Sequence, residues 1–444
     1  LYTSRVVLNI LGVEDFGIYN VVGGIVAMFG FINGSMTSAT QRYLTFELGQ
    51  NNRAQLTKVF STSLSIHGII SFLIIVLAET VGLWFLWNKM QIPADRMNAA
   101  FWVFQCSVAA SVIMIMSVPY NAAIIAHERM SAFAYISIIE VSLKLLIVCF
   151  LRYFHTDKLI LYAVLIVIVQ FLIRLCYSWY CNRHFNETKY RWSWDKGLFK
   201  EMTGFASWNM FGSLAAITFT QGLNLLLTMF FGPVVNAARG IAVQAQTAIG
   251  QFSSNFQTAL NPQITKSYAT GDMEYMHGLI FRSAKFSFFL LLLLSLPVLI
   301  ETKAILTLWL KIVSDHTVVF LRIMLCTTWV YAVSNPLITA ASATGKIKLY
   351  QSVVGGLLLL ILPISYLCLR FGLPAYSVFI VHLVIEITAQ FARLLMLKRM
   401  IKLSLREYFS KVVWCIFKVT AIALAVPLAV AYWQPGEGIW NLLT

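Results

Sequence analysis

LILYAVLIVIVQFLIRLCYSWYC, residues 159–181, carries a single charged side chain, Arg174, in a run otherwise built almost wholly from aliphatic and aromatic residues. Crossing a hydrocarbon layer about 30 Å thick at about 1.5 Å per residue takes roughly 20 apolar residues. This run is long enough, and it lacks the polar face that a surface helix of a soluble protein would show. Comparable stretches recur at 18–39, 59–84, 99–125, 131–151, 205–231, 239–262, 284–306, 318–341, 349–369, 375–395 and 412–432. The chain is 59% hydrophobic and 11% charged, with a mean hydropathy of +0.76, whereas soluble domains are typically about 45–50% apolar and about 25% charged. An all-α, polytopic membrane protein with twelve full spans is expected. The run 2–11 reads as the tail of an earlier helix and the end at Thr444 as the start of a further one, so a chain trimmed at both ends, of 12–14 spans, is expected. No cleavable signal peptide is visible.

The seven cysteines, Cys106, Cys149, Cys176, Cys181, Cys326, Cys368 and Cys415, lie in or beside apolar spans and form no Cys-x-x-Cys pair. They read as small buried apolar residues. The histidines form no His-x-x-x-His pair, so neither a metal site nor a cofactor is expected.

A net charge of +15 raises the question of nucleic acid. The cations alternate from loop to loop instead of gathering in one patch. Loops following the spans that end near Ala39, Ile125, Cys181, Pro262, Ala341 and Leu395 hold twenty of them, Arg42 and Arg393 included, against nine on the opposite side. That asymmetry is the one expected when the richer side is cytoplasmic, and a nucleic-acid partner is not expected.

Displacing the chain by about 220 residues brings its halves into register. Glu79, Thr80 and Trp87 fall on Glu301, Thr302 and Trp309; Ser117, Pro119, Ala123, Ala126 and Arg129 fall on Ser334, Pro336, Ala340, Ala343 and Lys346. The offset spans six helices, an even number, so the halves enter the membrane in the same orientation, as in a parallel repeat. The expected organisation is a first lobe over 1–181, a basic linker over 182–200 with Tyr190, Trp192 and Trp194, a second lobe over 201–397, and one or more extra spans over 398–444.

Polar side chains at membrane depth are costly unless they face protein or a watery cavity. Between 239 and 262, Gln244, Thr247, Gln251, Asn255, Thr258 and Asn261 recur every three or four residues as one stripe. Asn20, Gly30, Asn33, Thr37 and Gln41 form the counterpart in the first half. Both stripes are expected to line a space between the halves; hydrogen bonding between helices is the other reading of each single residue. Among embedded charges, Glu140 and Lys144 stand four apart and are expected to pair. Arg174 and Arg322 are substrate candidates or interface-seeking side chains. Arg239 opens the polar helix but lies to one side of its stripe, so it is expected to flank the cavity. Glu386 sits alone and deep, a possible site of coupling to a proton or sodium ion.

Several stretches are similar to the polysaccharide flippases of the multidrug/oligosaccharidyl-lipid/polysaccharide exporter superfamily. They are Leu11-Gly12-Val13-Glu14-Asp15-Phe16-Gly17-Ile18-Tyr19, Ser38-Ala39-Thr40-Gln41-Arg42-Tyr43-Leu44, Ala126-His127-Glu128-Arg129, Phe231-Gly232-Pro233, Leu260-Asn261-Pro262-Gln263 and Ser334-Asn335-Pro336-Leu337. Ala237-Ala238-Arg239 resembles the Ala-x-Arg that lipid II flippases place at the start of their eighth helix. Many relatives carry an aspartate in the seventh helix where this chain has Gln221 and Asn224. The resemblance implies two six-helix lobes, with extra helices at the C-terminal end, in a bacterial inner membrane. It also implies movement of a polyprenyl-diphosphate-linked oligosaccharide from the inner to the outer leaflet for O-antigen or capsule synthesis, with no bond made or broken. The alternative is a cation-coupled multidrug exporter of the same superfamily, which would use embedded carboxylates of the kind this sequence is short of. A polymerase or ligase is not expected, because all outward loops are short.

Overall fold

The computed structural model describes residues 2–27, 30–90, 92–151, 157–189, 195–310 and 313–433, apart from the side chains of 2–6, 8, 9, 13, 24–27, 30–33 and 426–433. Among them there is helix and no strand. In chain order the helices are α1 Tyr2–Ala27, α2 Gly30–Gly49, α3 Arg53–Leu77, α4 Leu83–Asn88, α5 Met97–Ala126, α6 Met130–Phe150, α7 Lys158–His184, α8 Lys196–Phe231 and α9 Pro233–Thr270. They continue as α10 Met273–Ile300, α11 Thr302–Leu310, α12 Asp315–Ala343, α13 Lys348–Leu359, α14 Ile361–Arg370, α15 Ser377–Met400, α16 Leu405–Tyr408 and α17 Trp414–Trp433. Tyr190, Trp192 and Trp194 of the expected linker lie outside the described residues.

Ten helical stretches among the described residues are long and apolar enough to cross a membrane, against the twelve expected. The two not among them are 18–39, of which 28–29 lie outside the described residues, and α9. Over its 38 residues α9 carries so many amides and hydroxyls that it fails on apolarity, not on length. The expected span 349–369 is two helices, α13 and α14, meeting at Leu360. Pro363, just beyond, has no N–H to give the carbonyl four residues back.

The chain divides into two compact units, residues 1–210 and 211–444. In the first, α5 is the hub, packed by α1, α2, α3 and α7; in the second, α12 takes that place among α9, α10 and α15. Both hubs hold a proline in mid-helix, Pro119 and Pro336, each among the buried residues of its helix. The repeat extends to backbone conformation. Gly12 has φ 82° and ψ 170°, and Gly232, 220 residues on, has φ 80° and ψ 179°. This region is open almost only to glycine, and each glycine separates two helical segments. Asn51 and Gly271 both have positive φ, and each precedes a side-chain cap: Asn52 accepts from the Gln55 N–H at 3.1 Å, Asp272 from the Tyr275 N–H at 3.0 Å. Glu128 and Gly345 form a third left-handed pair.

The units differ in charge chemistry. In the first, Arg96 before α5 pairs with Asp15 on α1 and, at 2.8 Å, with Asp157, the cap of α7. Hydrogen bonding to Asp15, helped by both carboxylates, raises the Arg96 pKa further above its ordinary value despite some desolvation. At the other end of α5, His127 Nε2 meets Glu187 at 2.5 Å, and its ring stacks on Phe185 at 3.9 Å. Glu140 and Lys144 pair at 2.6 Å, as expected from their spacing. Cys181 is buried, Cys149 is exposed and the other five cysteines are intermediate, so the expectation of uniformly buried cysteines is corrected; apolar side chains on spanning helices also face lipid.

Candidate functional site

The polar helix α9 has two working faces. One packs on the hub α12: Gln246 Nε2 donates to the Met324 carbonyl at 3.2 Å and to Thr328 at 2.8 Å, Gln257 Nε2 donates to the Ala332 carbonyl at 2.8 Å, and Thr339 donates to Asn261 at 2.9 Å. The other face carries Gln244, Thr247, Gln251 and Asn255, all exposed. Gln251 Nε2 donates to Asn255 Oδ1 at 2.8 Å. The faces meet in a cleft of about 300 Å³ lined by Gln246, Thr247, Gly250, Gln251, Gln257 and Thr328 among others. Its lining offers amides, hydroxyls and the Tyr331 ring, and no carboxylate.

The remaining expected residues do not join the stripe. Arg239 is turned into its own unit, 5% exposed, where Nη1 donates to Asn224 Oδ1 and Nη2 to the Thr220 carbonyl at 3.1 Å. Its buried Nε has no hydrogen-bond partner. The α8 positions where relatives carry an acid therefore give this arginine a neutral amide. Arg322 caps the end of α10, its Nε donating to the Leu299 carbonyl and Thr302 at 3.1 Å and Nη2 to the Ile300 carbonyl at 3.3 Å. In the first unit, Arg42 lies over the Tyr43 and Phe46 rings at 4.5 and 4.8 Å and over Phe205 at 5.7 Å. Burial raises the neighbouring Glu47 carboxyl above its ordinary range; Arg42 opposes this and Glu201 adds to it. Gln41, beside Arg42, is half-buried, and the side chain of Asn33 lies outside the described residues. Arg174 sits 5.9 Å from the Tyr120 ring, and its buried Nη1 has no hydrogen-bond partner.

Glu386 is not alone. Arg393, counted with the cytoplasmic loops from sequence, is buried and meets it at 2.7 Å, with side chains 3% and 5% exposed. Arg393 also donates to Ser334 at 3.0 Å and to Tyr350 at 3.2 Å. Ser334 donates to Gln390 at 2.6 Å, and Gln390 to Tyr408 at 3.2 Å. Desolvation forces this closure, since an isolated charge at that depth would be far costlier than a paired one. The signal was present: His382, Glu386, Gln390 and Arg393 repeat every three or four residues on α15. Gln246 and Gln257 were missed similarly, lying on the face of α9 opposite the more obvious stripe.

A family model described as polysaccharide biosynthesis protein matches residues 3–268. The chain belongs to that family. No curated protein matches this polysaccharide biosynthesis protein in sequence. Solved structures of several membrane transporters share its fold. A multidrug resistance MATE family transporter of the MOP superfamily, in an outward-facing conformation, aligns with TM-score 0.76 and 13% identity over 90% of this chain and 91% of that one. A MATE transporter in a bent conformation gives 0.77 and 13% over 94% and 92%. A MOP superfamily transporter from Pyrococcus furiosus, titled for the reverse polarity of its binding pocket, gives 0.68 and 13% over 90% and 97%. The chain thus combines membership of the polysaccharide biosynthesis family with the helical fold of those transporters, and ten helical stretches among its described residues are long and apolar enough to cross a membrane.

Proposed function

We propose that the protein moves a polyprenyl-diphosphate-linked oligosaccharide from the inner to the outer leaflet of a bacterial inner membrane, for surface polysaccharide assembly. The uncharged polar face of α9 and its carboxylate-free cleft carry this reading. A sugar chain brings many hydroxyls whose transfer into hydrocarbon costs several kcal/mol each when unsatisfied. Amides and hydroxyls at three- and four-residue spacing replace the lost water on both the donor and the acceptor side. An organic cation would call instead for embedded carboxylates, and Glu386, the candidate for that role, is already matched by Arg393.

Gln244, Gln251 and Asn255 are assigned to the sugar, Asn261 to holding the end of the stripe against α12, and Arg239 to the diphosphate through its unengaged Nε edge. Arginine suits phosphate because its planar fork matches the oxygens. Gln41, Arg42 and Asn33 are proposed as substrate-contacting residues of the first unit. Arg174 remains a weaker candidate, and Arg322 is given a capping role.

The test is transfer of a lipid-linked oligosaccharide between leaflets of proteoliposomes. Wild type is expected to transfer it, and Arg239→Ala to slow transfer tenfold or more, about 1.4 kcal/mol of barrier. Extrusion of an organic cation with no transfer of several lipid-linked sugars would overturn the reading in favour of multidrug export.

A further inference from the structure

We infer that the cleft between α9 and α12 is the subsite for one uncharged sugar ring, the one nearest the diphosphate, recognised by the hydrogens it donates. The inference rests on Arg239 as the diphosphate ligand and goes beyond it by naming the kind of sugar that the cleft accepts and the kind that it turns away.

Both helices belong to the second unit. Along α9, Arg239, Gln246, Gly250, Ser253 and Gln257 are spaced by seven, four, three and four residues, so at about 100° per residue they fall within about 60° of one another. The last four line the cleft. Gln246 stands about 10 Å of helix axis from Arg239. That places the near end of the cleft where the first sugar beyond a diphosphate at Arg239 would lie. A cleft of about 300 Å³ is at the small end of ligand cavities and holds one ring, not a chain.

The hydrogen bonds around the cleft decide which kind of ring it suits. A primary amide must turn its N–H side to a carbonyl, because a carbonyl cannot donate. Gln246 spends both N–H bonds on α12, at the Met324 carbonyl and at Thr328, and the Thr328 hydroxyl spends its own hydrogen on that same carbonyl at 2.9 Å. These two side chains can therefore only accept. Gln257 is held in the same way: its Nε2 takes the Ala332 carbonyl, which Pro336, four residues on, leaves without a helical N–H. Ser253 lines the cleft at 4% exposure, and its buried Oγ has no hydrogen-bond partner. A hydroxyl left in that state costs stability in the empty protein, and a sugar hydroxyl satisfies it. Hydroxyl and amide hydrogens of a neutral sugar match this lining. A carboxylate on the ring would meet Gln246 Oε1 and Thr328 Oγ1 oxygen to oxygen, with no cationic side chain among the residues lining the cleft.

The experiment is calorimetric titration of the full chain in detergent with farnesyl-diphosphoryl probes carrying glucose, glucuronamide or glucuronate. The last two have the same shape and differ only in an amide nitrogen against a charged oxygen. Wild type is expected to bind the glucose and glucuronamide probes alike and the glucuronate probe about tenfold or more weakly. Attraction to Arg239 would by itself favour the glucuronate, so the sign of the difference is diagnostic. Ser253→Ala removes a hydroxyl that the fold does not use. Its thermal midpoint should hold or rise, while the glucose probe should bind about fivefold more weakly. Equal binding of glucuronamide and glucuronate by wild type overturns the inference and needs no variant to fold; if Arg239→Ala weakens both, the Arg239 reading stands. Unchanged affinity for the glucose probe in Ser253→Ala overturns the inference as well. Absence of binding of every probe, with Arg239→Ala indistinguishable from wild type, overturns both.

Discussion

Glu386 and Arg393 meet in unit 2 with almost no solvent on either side, and Ser334 and Tyr350 take up further donors of the guanidinium. Removing one charge from such a pair leaves the other buried and unmatched, which typically costs about 3–5 kcal/mol, whereas replacing both by apolar groups often costs little. Glu386→Gln is therefore expected to lower the thermal midpoint of the purified protein steeply, and Glu386→Leu with Arg393→Met to recover most of the loss. If Glu386→Gln leaves stability untouched and removes an ion dependence of transport, Glu386 is a coupling site and the lock is wrong. A second residue-scale prediction concerns pH. Burial works against the Glu187 carboxylate, but the His127 hydrogen bond, a backbone N–H and the charges of His127 and Arg53 together outweigh it and hold its pKa below the ordinary value. A group depressed on folding stabilises above its unfolded pKa and loses that contribution as pH falls through the folded one. The difference in thermal midpoint between wild type and Glu187→Gln should be present near pH 5 and should vanish as pH drops below the usual carboxylate range. The embedded charges show what sequence left open. Glu140 and Lys144 were legible because their partners are four residues apart, while the Glu386–Arg393 pair was hidden by reading Arg393 as a loop residue. The expected span 375–395 already contained Arg393, yet as a basic residue near its end it was counted with the loop that follows.

At the scale of elements, the glycines between helices mark where the chain must turn without a side chain. Gly12 and Gly232 have open space where a Cβ would stand, so the penalty for substitution is conformational alone. Gly12→Ala and Gly232→Ala are each expected to cost about 1–3 kcal/mol, read as similar falls in thermal midpoint; unequal falls would show that the two turns are not equivalent. Close packing of α8 on α13 and α14 predicts a different failure. A Cβ on Gly222 would come within 2.4 Å of Leu362, whereas Gly240 meets nothing within 4 Å. Gly222→Leu should destabilise by about 1–3 kcal/mol through overpacking, and Gly240→Ala should be neutral or slightly stabilising. Helix positions were legible from apolar length, and the pairing of halves from Pro119 with Pro336. The break between α13 and α14 was not, because a proline inside an apolar run does not say whether the helix bends or splits. The polar face of α9 was visible as a period, yet its division into a face bonded to α12 and an exposed face depends on where the hub lies.

Across the whole molecule, the excess of basic residues on one set of loops and the uncharged polar face of α9 are in keeping with the proposed passage of a polar, anionic cargo. Membrane potential offers a test of the sign of that cargo. An inside-negative potential assists outward movement of each uncompensated negative charge by about 2.3 kcal/mol per 100 mV, and opposes that of a cation by as much. If the rate-limiting step crosses about half the field, 100 mV should accelerate transfer of a lipid-linked oligosaccharide roughly sevenfold per net charge. Proteoliposomes clamped with potassium and valinomycin read this directly. Acceleration that reverses when the gradient is reversed is the expected result. A rate indifferent to potential would mean that the diphosphate crosses with its charge fully neutralised, and a rate slowed by an inside-negative potential would point to a cationic cargo and overturn the proposed one.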